Sequence, residues 1–329
     1  MILLLSCHAI LEHDELALFE DLGLPYFSLG SYILPWQPAD PIRPALHYHP
    51  PQSMYDHPAP ERNKLTAAWV EPFDTIIVMH VPEWITENWE AIKHKKVIWR
   101  SIGQSSPGVE AKLAPYRAHG LQVVRYSPKE INIPDNIGAD HLIRFYKDEK
   151  EFNHWTGGGT EVITFAQNMK HRGEYLNVTA WQQLVHGFNS HVYGPKNEQM
   201  GPYNGGYLTY DGMKQKLRDC RVYAYAGTQP ASYTLSFIEA MMTGCPIVAL
   251  GSRYGNSLNI AGDVYEVPDI IQDGYNGFVS DDIEYLRSKI DLLVKDKRTA
   301  RAISAAGRQT AIELFGKQNI KEQWRRLLC

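Results

Sequence analysis

Apolar side chains recur along this 329-residue chain in two alternating rhythms. Residues 1–6, 74–79, 95–99, 122–126, 161–166, 191–193 and 221–225 are short runs rich in Ile, Leu, Val, Phe and Tyr. Such runs predict strands buried on both faces of a sheet. Between them, residues 12–22, 109–118, 211–219, 234–243, 281–294, 300–315 and 318–328 space their apolar positions three and four apart, which predicts amphipathic helices. Gly23 and Gly244 stand where helix C-caps are expected, and Pro115 predicts a kink or early stop. Strands that alternate with helices pair in parallel, so the chain is expected to be α/β and doubly wound. Function on such sheets concentrates beyond the carboxyl ends of the strands. His80, Arg100 and Gln104 fall at those ends.

Two stretches break the rhythm. Residues 31–62 carry prolines at 35, 38, 41, 44, 50, 51, 58 and 60, which exclude a continuous helix or central strand. Aromatic and imidazole side chains (Trp36, His47, Tyr48, His49, Tyr55, His57) lie among them, so the stretch reads as a binding loop or lid. No carboxylate or cysteine stands at metal-ligand spacing from His47-Tyr48-His49, and no metal site is expected. The polar, Gly-rich run at 153–160 reads as a hinge. The expected domains are 1–155, with the terminal helix 316–329 packing back on it, and 156–315.

Composition changes this picture little. Hydrophobic residues make up 44% and charged residues 21%, as in an ordinary soluble protein, and the net charge of −4 demands no polyanionic partner. The four cysteines (7, 220, 245 and 329) have neither zinc-finger nor redox spacing, which points to a reducing compartment. The apolar run at 2–5 is too short for a signal core or a membrane span. A cytoplasmic protein without an integral membrane segment is expected.

The run from Arg221 to Leu250 reads as strand, loop, helix, strand. It places the amides of Tyr233, Thr234 and Leu235 at a helix N-terminus, where unpaired N–H groups and the helix dipole favour a phosphate. Glu239, one turn further on among apolar neighbours, can accept two hydrogen bonds from a ribose diol. Together they suit a nucleotide-sugar, although the same pattern also describes a plain α/β crossover with a solvated glutamate.

The segment Glu239-Ala-Met-Met-Thr-Gly-Cys-Pro-Ile-Val-Ala resembles the nucleotide-sugar motif of group 1 (family 4) retaining glycosyltransferases. Asp273-Gly-Tyr-Asn-Gly-Phe-Val resembles another segment of that family, and the likeness covers residues 160–328, reaching the first domain only by pattern. The resemblance implies the GT-B fold, two Rossmann-like doubly wound domains facing a cleft. It implies a nucleoside-diphosphate-sugar donor, a UDP-sugar for instance, with no cofactor, no metal and retention at the anomeric carbon. Arg172 and Lys170 would bind the diphosphate, in a stretch where the family has two cations in Gly-Arg-x-x-x-x-Lys-Gly; here Gln167 takes the arginine position. His80 and Arg100 would touch the reacting sugar. His8 and His13, in and just beyond the first strand-to-helix loop, and Gln104 would meet the acceptor. The acceptor is open: a glycan, a small molecule or a modified DNA base. Ala231 stands where the family carries a first glutamate, which leaves a second reading, a GT-B nucleotide-sugar-binding protein without transfer activity.

Overall fold

The computed structural model describes residues 1–6, 8–28, 43–55, 64–103 and 105–329. The chain divides into two compact units, Met1–Ile143 with Lys321–Cys329, and Arg144–Ile320.

The first unit is a six-stranded, wholly parallel sheet: β1 (Ile2–Leu5), β2 (Tyr26–Ser28), β3 (Thr75–Met79), β4 (Lys96–Arg100), β5 (Gln122–Arg125) and β6 (His141–Leu142), in the spatial order β2-β1-β3-β4-β5-β6. Leu3, Leu5, Ile76, Val78, Val97, Trp99 and Val123 form its core with Val70, Phe73 and Leu113. The first helix, α1 (Ala9–Asp21), begins three residues before the expected start because His8 serves as its N-cap, its Nδ1 accepting from the Leu11 amide. Helix α2 (Pro107–Arg117) does not stop at Pro115: that proline lies in the last turn, where the helix is about to end anyway.

The second unit repeats the plan. Strands β7 (Val162–Phe165), β8 (Ser190–Tyr193), β9 (Asn204–Gly206), β10 (Val222–Tyr225), β11 (Ile247–Leu250) and β12 (Phe278–Ser280) run parallel in the order β12-β11-β10-β7-β8-β9. Helices α3 (Val178–Val185), α4 (Tyr210–Asp219), α5 (Leu235–Thr243), α6 (Ile283–Lys295) and α7 (Lys297–Phe315) accompany them, and α8 (Lys317–Leu328) follows. Trp181, Leu184, Val192, Val222, Val248, Leu286 and Ile290 fill the core. Strands β9 and β12 fall outside the apolar runs that predict strands. Both are three-residue edge strands.

The boundary between units lies at Ile143/Arg144 rather than 155/156. Residues 144–155 are held by second-unit partners: Arg144 by Glu266, the Lys147 amide by the Phe315 carbonyl at 3.0 Å, and Trp155 Nε1 by the Cys220 carbonyl at 2.8 Å. The expected hinge at 153–160 is likewise pinned, since the amides of Thr156, Gly157 and Gly159 bond to the Arg218 and Asp219 carbonyls. A Cβ on Gly159 would stand 3.1 Å from the Asp219 carbonyl oxygen, so this glycine serves close approach rather than freedom. None of the helices among the described residues is long and apolar enough to cross a membrane.

Candidate functional site

In the second unit the strand order reverses between β7 and β10, and doubly wound sheets bind ligands beside such a reversal, past the carboxyl ends. Two loops leave the sheet there. After β7 the chain passes through Asn168, whose φ of +51° is left-handed, into the short helix Met169–Arg172 and a 3₁₀ turn, Gly173–Leu176. After β10 it runs through Gln229 to the start of α5.

Buried amides join the two loops. Asn177 Nδ2 donates to the Ala226 carbonyl (2.8 Å), and the Gln229 amide donates to the Tyr175 carbonyl (2.9 Å). Gln229 Nε2 donates to the Glu174 carbonyl (3.2 Å) and to Ser257 Oγ (2.7 Å), while its Oε1 accepts from the Leu258 amide (2.8 Å). One buried glutamine thus fixes three loops at the carboxyl edge. The sequence offered no signal for Gln229 or Asn177, because their roles exist only once these loops meet.

Helix α5 forms because Thr234 caps it, its Oγ1 accepting from the Phe237 amide at 3.4 Å, and because Gly244 closes it at a φ of +94°. Phe237, Ile238, Met241 and Met242 are buried, each contributing about 1.5–3 kcal/mol. The first-turn amides of Leu235 and Ser236 lie ahead of any helical acceptor, so the helix start is suited to an anion. Burial pushes the Tyr223 and Tyr225 phenols up, so neutral hydroxyls lie beneath that turn.

Arg172 is half-buried, with burial drawing its guanidinium down from the usual value, and no carboxylate pairs with it among the described residues. A partly desolvated cation without an anion is costly, and an anionic ligand would relieve it. Lys170, two residues earlier on the same turn, is exposed. Glu239 is buried, not solvated: its Oε1 lies 2.8 Å from Lys147 Nζ, and both side chains are 3–4% exposed. Lys147 was not singled out from sequence. Tyr233 is buried too, its phenol 3.4 Å from Arg144 and its ring edge-on to Phe145 and Phe315. It supports the α5 turn from behind. Thus the Arg172 loop and the α5 start follow adjacent strands on the carboxyl side of the sheet, while Glu239 and Tyr233 are buried beneath the same helix.

The first unit has its own reversal, between β1 and β3, which brings together the loops bearing His8 and His80. His80 sits at a φ of +71°, with the Val81 amide bonded to the Met79 carbonyl across it at 2.8 Å. This is the strained form of the γ-turn, and strain of this kind gathers at functional positions. Burial pulls the imidazole down, so it is neutral at pH 7, and its buried Nδ1 has no hydrogen-bond partner among the described residues.

Two expectations are corrected here. Arg100 is fully buried, with Nε and a terminal nitrogen 3.1 and 3.0 Å from Glu15 Oε1 and the other terminal nitrogen 2.5 Å from the Ile143 carbonyl oxygen. It lies over the Trp324 ring at 5.5 Å. A cation held this way ties β4 to α1 and α8 and cannot reach a reacting sugar. His13 is buried as well, its Nε2 2.9 Å from the Pro44 carbonyl, so it anchors the Pro-rich stretch instead of facing an acceptor. That stretch is also tied to α1 through the His47 and Tyr48 amides, which bond to Glu20. His8 spends Nδ1 on capping. Gln104, Cys7, Trp36, His57 and most of the expected lid lie outside the described residues. Among those described, no group of three or more His, Cys, Asp or Glu is placed to hold a metal ion.

Solved structures with the same architecture are glycosyltransferases. Sucrose-phosphate synthase of Thermosynechococcus elongatus matches with a TM-score of 0.67 at 14% identity, over 99% of this chain and 97% of its own. HepE of Anabaena, solved in complex with UDP and glucose, matches with a TM-score of 0.63 at 12% identity, over 99% and 98%. The fold is GT-B. Poly(ribitol-phosphate) alpha-N-acetylglucosaminyltransferase of Staphylococcus aureus is 28% identical over 131 residues, 39% of this chain, and the chain spans about a quarter of that enzyme's length (24%). No family model matches the chain. The likeness to group 1 glycosyltransferases therefore stands on fold and on this partial relative.

Proposed function

We propose that the protein is a glycosyltransferase that takes a sugar from a nucleoside-diphosphate sugar, a UDP-sugar by preference, and places it on a hydroxyl acceptor with retention. The observation that carries this reading is that the half-buried Arg172, with no carboxylate paired to it among the described residues, and the capped N-terminus of α5 follow the adjacent strands β7 and β10 on the carboxyl side of the second unit's sheet. In the reaction the anomeric C–O bond to the diphosphate breaks and a bond to the acceptor oxygen forms, so negative charge grows on the leaving diphosphate. Arg172, Lys170 and the first amides of α5 meet that charge without a cofactor or a metal ion being called upon. Glu239 takes the ribose diol. In the first unit, the neutral imidazole of His80 is suited to hydrogen-bond a sugar hydroxyl.

That HepE was solved with UDP and glucose supports a UDP-linked donor, and the ribitol-phosphate transferase supports a polyol or glycan hydroxyl as acceptor. A cytoplasmic site of action is part of this reading, on the ground that the cysteines are widely scattered along the sequence.

The test is a thermal-shift panel of UDP, GDP, ADP and CMP, followed by UDP release from UDP-sugars in the presence of polyol and glycan acceptors. UDP raises the melting temperature of the native protein, and Glu239→Ala removes most of that shift. A shift unchanged in Glu239→Ala counts against the ribose assignment. A second reading, donor binding without transfer, is favoured by the buried Ala231 where the family has a glutamate. It holds if UDP-sugars bind and neither transfer nor hydrolysis follows.

A further inference from the structure

Glu239 does not stand alone, and its partner comes from a part of the chain with no motif. Lys147 lies in the segment by which the chain enters the second unit. Its backbone is fixed: the amide donates to the Phe315 carbonyl at 3.0 Å, and the residue forms a parallel bridge with Gly316. Its tip is fixed too, 2.8 Å from Glu239 Oε1 and 5.6 Å from the centroid of the Phe152 ring. Three residues earlier, Arg144 pairs with Glu266, a second buried carboxylate of the unit, whose amide bonds to the Ser232 carbonyl at 3.0 Å in the donor loop. Two cations on one short segment therefore each hold an acid belonging to the donor-site framework.

We infer that Lys147 is a positioning residue for donor binding: it holds the Glu239 carboxylate in a single orientation, so that this acid selects a ribose diol. The inference rests on the reading that Glu239 accepts the ribose hydroxyls. Without the cation to hold it, a carboxylate at this depth is free to turn toward other donors, and that change loses the charge-assisted bonds that make a diol worth binding. A carboxylate has about four lone-pair directions, so an ammonium on one oxygen does not by itself exhaust its capacity to accept. The neighbouring cations also divide by task. Arg172 and Lys170 lie on the loop after β7, whereas Lys147 lies on the entry segment and pairs with Glu239. Its removal should therefore act on ribose recognition and leave the phosphate interaction alone.

Calorimetric affinities for UDP and for 2′,3′-dideoxy-UDP separate these effects, because the two ligands differ only at the diol. Wild-type protein should prefer UDP by about tenfold or more, the worth of one or two hydrogen bonds to a charged group. Lys147→Met should reduce that preference to about threefold or less while binding dideoxy-UDP as wild type does; Lys147→Arg, which keeps the cation, should retain the preference. If Lys147→Met does not fold, Lys147→Gln gives the same reading, since it keeps a donor without the charge. A Lys147 variant that retains the full wild-type preference overturns the inference, as does one that loses both ligands equally. A wild-type protein that binds neither nucleotide, or binds both alike, fails at the earlier step and takes the ribose role of Glu239 with it.

Discussion

Replacing Arg100 by Met tests whether this residue is a structural tie or part of the chemistry. In the folded protein its guanidinium is fully buried on Glu15 and on the Ile143 carbonyl. Burial pushes the Glu15 carboxyl above the usual range, and Arg100 is the chief influence drawing it back. Taking away the cation leaves a buried carboxylate uncompensated, which costs about 3–5 kcal/mol. Amide hydrogen exchange of β1, β3 and β4 reads this within the first unit, and the loss should speed their exchange by roughly two to three orders of magnitude. The pH dependence follows from the direction of the shift. A carboxyl raised in the folded state binds its proton more tightly there than in the unfolded chain, so its favourable contribution is present below the usual carboxylate range and is lost as pH rises through the folded value. Without Arg100 the Glu15 carboxyl rises further, so the gap between variant and wild type should widen from pH 4 to pH 8. Glu15→Leu with Arg100→Met removes both charges and should return stability to within about 1 kcal/mol of wild type. An acceleration below tenfold, or a double variant as damaged as the single one, would refute the tie. Sugar transfer surviving in the refolded double variant would confirm that Arg100 is not in the chemistry.

Arg172→Ala should weaken UDP binding tenfold or more, since a charge-assisted phosphate contact is worth about 1.5–3 kcal/mol, while the ligand-free melting temperature holds or rises. A matching loss of ligand-free stability would mean that the arginine serves the fold. His80→Gly should stabilise the first unit by about 1 kcal/mol by relieving the left-handed backbone, and His80→Ala should not; if the imidazole touches the sugar, both lose transfer, which a turnover assay decides. Glu161 is also buried in part, a cost set against bonds from Tyr193, Lys216 and His191 that hold its carboxyl below the usual range. Its stabilisation is present above that range and lost as pH falls, so Glu161→Gln should cost about 1–3 kcal/mol at pH 7 and much less near pH 3 in thermal melts.

The central strands, the capped helix at 235–243 and the parallel doubly wound plan were legible in the sequence because each is written locally: unbroken apolar runs, a threonine cap, a glycine stop. The edge strands β2, β9 and β12 were not, because three-residue strands such as Asn204–Gly206 carry no hydrophobic pattern and gain their conformation from the neighbour they pair with. The capped helix start proposed to take the phosphates was legible for the same local reason, and Glu239 stood out as a carboxylate among apolar neighbours. Its lysine was not, because Lys147 is 92 residues away and only the packing of the entry segment against α7 brings the two together. Arg100 shows the converse: a cation at a strand's carboxyl end looks poised for chemistry until the fold encloses it beside Glu15. Sequence sets which segments form and which chemistry they carry. Which charges are spent on each other, and which remain for a ligand, follows from distance and desolvation, and these exist only in the folded chain.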